Sequence, residues 1–173
     1  TMFGWSMVFY PCVFLLDGLR KGIPAIKNRS FPWQGLLVAL IAVSFDALID
    51  PFATDFGLWV WNEAYHRGNS FYWLGVPLVN FVSWFTAVFT FGVPYYYFEL
   101  KKTGWDQIKR TAAMACSLPL ILAVAGIMEF SALGIIEGCN GPSWAILRKY
   151  INDGMPLTRE PKKGKIRNYH DER

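Results

Sequence analysis

The chain has 173 residues, of which 53% are hydrophobic and only 17% are charged, and its formal net charge is +4. Soluble domains carry about 25% charged residues, and here the apolar residues fall in long blocks instead of at a helical or strand period. This composition excludes an ordinary soluble domain and predicts an all-α membrane protein, a bundle of about four transmembrane helices followed by a polar C-terminal tail.

The sequence lacks the residue clusters and motifs that usually bind metals, nucleotides or flavins. The two histidines, His66 and His170, are too few for the histidine clusters that hold iron in membrane oxygenases. There is no P-loop and no G-x-G-x-x-G motif for a nucleotide or a flavin. We therefore predict no metal site and no cofactor, and the positive charge suits an anionic membrane surface better than nucleic acid.

The first predicted span covers residues 2–16, and Asp17 and Arg20 follow it one turn apart, where we expect an ion pair. Four Lys and Arg residues lie between the first and second spans, and four more lie between the third and fourth. The connection between the second and third spans carries only Arg67. The positive-inside rule places the two basic connections in the cytoplasm.

The second predicted span begins near Trp33 and is apolar to residue 48, which is shorter than the roughly 20 residues of a full crossing. Pro51 then interferes with a straight helix. Two alternatives remain. Either the helix ends near Asp50, or it kinks and continues to Trp61.

The third predicted span covers residues 71–98, and the fourth covers residues 111–128 with an extension to 136 as an alternative. Glu99 is expected to form an ion pair at the membrane boundary, and Glu129 is expected to lie at the end of the fourth span rather than in a cavity. Residues 1–147 form the predicted membrane domain, and residues 148–173 form a basic, flexible tail.

Two aspartates in the second span are the first candidates for chemistry. Asp46 and Asp50 are four residues apart, so they share one face of a helix. An acid inside a membrane persists only with a partner, a water-filled cavity or a function. Two adjacent carboxyl groups in an apolar medium can share one proton, which places a proton donor beside a proton acceptor. The alternative is a solvated pair at the helix end.

Further candidates follow within about forty residues. Glu63 lies in the polar connection after the second span, where a solvated acid is the simpler interpretation. Asn80 lies in the third span, and a buried amide there either orients water and a carboxylate or joins two helices. Aromatic faces stabilise carbocations and line pockets for long apolar ligands, although interface belts use the same residues. The candidate aromatic residues are Trp59, Trp61, Trp73 and Trp84.

These residues resemble a known family. The stretches FDALIDPFATDFGLWVW and YWLGVPLVNFVSWF are similar to the membrane carotenoid biosynthesis protein family, which includes hydratases of the carotenoid ψ-end group and of bisanhydrobacterioruberin. The similar positions are Asp46, Asp50, Pro51, Gly57, Trp59, Trp61, Gly75, Val76, Pro77, Asn80, Phe81 and Trp84. Members of the family are longer, so the resemblance also implies further spans before residue 1.

The resemblance implies a cofactor-independent hydratase, a hydro-lyase of the inner membrane, acting on an acyclic carotenoid or another long isoprenoid. Asp46 would protonate a terminal C=C bond, Asp50 or Glu63 would activate water, and Asn80 would position the groups. The tryptophans Trp59, Trp61, Trp73 and Trp84 would line the cation and the polyene. Other membrane enzymes of the carotenoid pathway are possible partners.

Three other functions remain open. A lycopene-cyclase-like enzyme would use the same protonation but trap the cation with a second double bond. A prenyltransferase would need a second aspartate motif and more basic residues than lie near Asp46. A non-catalytic scaffold or carotenoid-binding protein would need only structural roles for the same residues.

Overall fold

The computed structural model describes residues 2–58, 61, 72–136, 138, 148 and 152, with no side chains described for residues 2–6. Five helices and one two-stranded hairpin form this part of the chain. In chain order the elements are α1 (Met2–Gly22), α2 (Pro24–Lys27), α3 (Phe31–Asp55), β1 (Tyr72–Trp73), β2 (Val76–Pro77), α4 (Leu78–Lys101) and α5 (Gln107–Ile136). The predicted all-α membrane fold is confirmed.

Helices α3 and α4 form the antiparallel centre of the bundle and make its most extensive contact. One buried stripe on α3 recurs at spacings of three and four and consists of small residues and the two aspartates: Gly35, Ala39, Ala42, Asp46, Asp50 and Ala53. Such a stripe lets two helices approach closely, which is how helices associate where lipid removes the hydrophobic drive. The closest approach is at Gly35, because a Cβ placed there would lie 2.5 Å from Cγ2 of Val93.

Backbone hydrogen bonds and a left-handed glycine end helix α3. The helix continues through Pro51 and ends one turn later, at Asp55, so it stops between the two alternatives that the sequence left open. Gly57 has φ of +68°, its N–H donates to the carbonyl of Thr54, and the N–H of Leu58 donates to the carbonyl of Ala53. This pair of bonds is a Schellman motif, which requires a left-handed residue and so favours glycine.

The third predicted span begins later than expected. Residues 72–77 form an antiparallel hairpin in which Tyr72 pairs with Pro77. Its two turn residues, Leu74 and Gly75, both have positive φ, the signature of a type I′ turn. Helix α4 therefore starts at Leu78 and not at residue 71.

The two basic connections lie at the same end of the bundle. The Arg20 guanidinium lies 5.4 Å from the ring centre of Tyr96, and the rings of Phe31 and Tyr97 are 5.3 Å apart. The predicted ion pair is present, with Arg20 Nη1 2.8 Å from Asp17 Oδ1. Positive charge is thus concentrated at one end of α1, α3 and α4, as the positive-inside interpretation requires.

Three helices of the described chain are long and apolar enough to cross a membrane: Phe31–Asp55, Leu78–Lys101 and Gln107–Ile136. The first predicted span is also a helix, α1, but it is not one of these three. Residues 148–173 lie outside the described residues except for 148 and 152, so the tail stays a prediction.

We expect Gly35→Ala to separate α3 from α4, because the new Cβ would also lie 2.9 Å from the backbone nitrogen of Val93, which no rotamer change relieves. Overpacking of this kind costs about 1–3 kcal/mol. The measurement is loss of helical circular dichroism during SDS titration of the protein in mild detergent. Gly126→Ala is the matched control, because a Cβ there meets nothing within 4 Å and alanine favours the helix. Equal stability of the two variants would contradict this packing.

Candidate active site

The two aspartates of α3 point into the bundle. Asp46 and Asp50 continue the stripe of small residues that packs against α4, and each is only 5% exposed. On the other side of the same helix, Leu48 and Phe52 are 65% and 66% exposed, as expected of lipid-facing residues. Helix α3 is therefore apolar outside and acidic inside, and the pair is buried instead of solvated.

Asn80 holds both aspartates. Its Nδ2 donates to Asp46 Oδ2 at 2.7 Å and to Asp50 Oδ2 at 2.6 Å. A primary amide nitrogen carries two hydrogens, so each carboxyl group receives one. Because an Oδ2 atom of each carboxyl group lies within 2.7 Å of the same nitrogen atom, the two groups lie close together, and repulsion between two charged forms favours a single proton on the pair. We call Asp46, Asp50 and Asn80 the acid–amide cluster.

The first turn of α4 adds to the stabilisation of this cluster. Asn80 is the third residue of α4, so the carboxyl groups lie beside the helix N-terminus. A helix leaves its first N–H groups without intrahelical partners and carries positive partial charge at this end. A carboxylate there is stabilised by about 0.3–1 kcal/mol, and by more where water is excluded.

The length of α3 gives the expected depth of the cluster in a membrane. With α3 centred in the bilayer at residue 43, Asp46 is about 4–5 Å and Asp50 about 10–11 Å from the midplane, at 1.5 Å of rise per residue. The hydrocarbon layer extends about 15 Å to each side. Centred in this way, α3 places both carboxyl groups at hydrocarbon depth, on the side away from the basic connections.

Three segments meet one helical turn beyond Asp50. The indole Nε1 of Trp61 donates to Oγ1 of Thr54 at 3.2 Å, and Thr54 is four residues after Asp50 on the same face of α3. A Cβ on Gly75 would lie 3.9 Å from Thr54 Cγ2, so the hairpin turn is also adjacent. Thr54 was not among the predicted site residues, although its spacing from Asp46 and Asp50 was the available signal.

The predicted tryptophans that the structure describes lie in different surroundings. Trp61 contacts Thr54, and Trp84 lies one turn after Asn80 on the same face of α4, partly buried against the core of α1, α3 and α4. Trp73 is 60% exposed in the hairpin. Trp59 lies outside the described residues, as does the predicted catalytic Glu63. The structure thus brings together Asp46, Asp50 and Asn80 of the four predicted catalytic residues.

A further acid faces α4 from α5. Ser83 Oγ donates to Glu129 Oε1 at 2.5 Å, and Ser83 is three residues after Asn80. Helix α5 continues seven residues beyond Glu129, so this carboxyl group lies within the helix and not at its end. The helix thus takes the longer of the two predicted extents, to residue 136, which could not be chosen from hydropathy alone. Glu99 does form an ion pair, with Arg110 at 2.5 Å.

Metal binding has no candidate in the described part of the chain, where no three His, Cys, Asp or Glu side chains are grouped as ligands. The cluster offers carboxyl groups that can donate and accept protons, on helices that are long and apolar enough to cross a membrane. These are the groups that an acid–base site for an apolar molecule requires.

The fold and the cluster together define a polytopic helical membrane protein with an internal acid pair. The sequence matches the family model described as carotenoid biosynthesis protein over residues 2–142. This match covers most of the chain, and the chain belongs to that family. No curated protein and no solved structure matches it.

We expect Asn80→Leu to destabilise the protein, because it removes the donor from two buried carboxyl groups. Hydrogen bonds to charged groups contribute about 1.5–3 kcal/mol each. SDS titration in mild detergent measures the loss. The matched control is the triple variant with leucine at positions 46, 50 and 80, in which no uncompensated acid remains and stability returns. A triple variant as unstable as Asn80→Leu would contradict this interpretation.

Proposed function

We propose that the protein hydrates the terminal C=C bond of an acyclic carotenoid, with the acid–amide cluster as its active site. The observation that supports the proposal is the pair of hydrogen bonds from Asn80 to Asp46 and Asp50 inside the membrane domain. Membership in the carotenoid biosynthesis family supports a long isoprenoid substrate. The acids lie at the depth where the end of such a molecule dissolved in the bilayer is accessible.

In the first step, Asp46 donates its proton to the CH carbon of the terminal trisubstituted double bond. The π electrons form the new C–H bond, and the adjacent carbon becomes a tertiary cation. Asp46 is the deeper of the two acids, and its Oδ2 accepts from the same Asn80 nitrogen as Oδ2 of Asp50. A shared proton keeps one of the two groups able to donate while the other stays an acceptor.

In the second step, water adds to the cation and gives a tertiary alcohol. Asp50 accepts the proton that the water loses as its oxygen bonds to carbon. Transfer of this proton from Asp50 to Asp46 restores the starting state, so the net reaction adds one water and consumes no cofactor. Asn80 keeps the two carboxyl groups in the geometry that this transfer requires.

The aromatic surroundings favour the cation. Trp84 follows Asn80 by one helical turn on the same face of α4. The negative face of an indole ring stabilises a nearby cation by about 0.5–2 kcal/mol, and by more where water is scarce. We place Trp84 beside the reacting end group, and we place the enzyme in the inner membrane, where other enzymes of the pathway would supply its substrate.

We expect Asp46→Asn and Asp50→Asn each to lower the turnover number by about 10²–10⁴-fold, because each removes one partner in proton transfer. The assay is mass spectrometry of carotenoids in cells that make an acyclic carotenoid and express the chain. The expected product is heavier by one water. Asp55→Asn is the matched control, because Asp55 is an exposed acid at the end of the same helix.

Two results would contradict the proposal. A product of unchanged mass whose polyene absorbs at shorter wavelength would mean cyclisation, the reaction of a lycopene-cyclase-like enzyme. Unchanged turnover in Asp46→Asn would remove this acid from the chemistry and leave the cluster as a structural link between α3 and α4.

A further inference from the structure

A cleft opens at the opposite end of α4 from the acid–amide cluster. It encloses about 530 Å³ between α1, α4 and α5, a volume within the usual range of sites for small molecules. Its walls are mainly aromatic and apolar and include Tyr10, Phe91, Tyr95, Phe98, Met114 and Leu118. None of these residues takes part in the proposed hydration.

The polar end of the cleft lies at the membrane boundary. Glu99 and Arg110 are both in its lining and pair with each other at 2.5 Å. The buried Nε of Arg110 makes no hydrogen bond within the described part of the chain. The cleft therefore runs from apolar walls near the middle of α4 to a polar end beside the connection between α4 and α5.

One face of α4 runs from the cluster to the cleft. Starting from Asn80, positions 84, 87, 91, 95 and 98 follow at spacings of four, three, four, four and three, which keeps them on one side of the helix. Trp84 is the first of these residues after the cluster, Ala87 is the second, and Phe91 is the first that lines the cleft. The side chains along this face are aromatic or small, as an elongated apolar ligand requires.

The separation of the two sites sets the length of that ligand. Asn80 and Phe98 are eighteen residues apart, which is about 27 Å of helix. The hydrocarbon layer is about 30 Å thick, which is about the length of a forty-carbon acyclic isoprenoid and about twice that of a twenty-carbon one. A single forty-carbon molecule can reach both sites, whereas a twenty-carbon molecule can reach only one.

We propose that the cleft between α1, α4 and α5 binds the far end of the same long isoprenoid whose near end reacts at the acid–amide cluster. The cleft thereby selects for chain length. This inference rests on the proposed function for the identity of the reacting end. The binding step itself requires no turnover, so it can be tested separately.

The test fills the cleft and measures binding and turnover separately. Ala115→Trp places a large ring in the lining, and Ala123→Trp places the same ring on an exposed face of the same helix as a matched control. Each full-length variant is purified in mild detergent and titrated with an acyclic forty-carbon carotenoid, with binding followed by the shift in polyene absorption. A twenty-carbon acyclic isoprenoid with the same end group is the short substrate for the mass assay.

We expect Ala115→Trp to weaken binding of the forty-carbon carotenoid by about tenfold or more, equivalent to about 1.4 kcal/mol, while Ala123→Trp binds as the unaltered chain does. Any turnover of the short substrate should be the same in both variants. Two results would overturn the proposal: equal binding of the carotenoid by both variants, or no binding by the unaltered chain. Equal binding by both variants would indicate that the cleft holds a membrane lipid instead.

The two proposals fail in distinguishable ways. If Ala115→Trp loses carotenoid binding and no variant or unaltered chain forms a hydrated product, the cleft is supported and the hydratase assignment fails. If hydration of the forty-carbon substrate proceeds equally in Ala115→Trp and in the unaltered chain, the hydratase assignment is supported and the cleft assignment fails.

Discussion

A single side-chain amide binds two carboxyl groups in the interior of this membrane domain. The packing of α3 against α4 brings the three side chains together. Asn80 donates one hydrogen to Asp46 and one to Asp50. Without these bonds, each acid would face the cost of leaving water with no compensation. The contact also joins α3 to α4, so the polar cluster and the main helix pair depend on each other.

The close approach of α3 and α4 sets the depth and register of the cluster. At one end of the pair, Gly35 and Gly92 leave space for the facing backbone, since a Cβ on either would lie within 3 Å of the other helix. At the other end, the same antiparallel register brings the first turn of α4 to Asp46 and Asp50. Small residues at one end thus position the acids about 18 Å away along α4.

The bundle separates two environments along the length of α4. The cluster lies near the helix N-terminus, where α3 ends in a Schellman motif and the hairpin covers Thr54. The cleft with the Glu99–Arg110 pair lies near the helix C-terminus, beside the basic connections. A rod-shaped apolar molecule parallel to α4 would contact both, which fits membership in the carotenoid biosynthesis protein family.

The sequence by itself determined the membrane character, the all-α class and the candidate acids. Long apolar blocks are typical of membrane-spanning helices, and an acid within such a block is rare because it is costly to bury. It did not fix the end of α3 at Asp55 or the late start of α4, since both depend on local turns at Gly57 and Gly75. Only the tertiary structure decided that Asp46, Asp50 and Asn80 meet. Residues thirty or more apart in the chain are brought together by helix register, and register depends on packing contacts that no single segment contains.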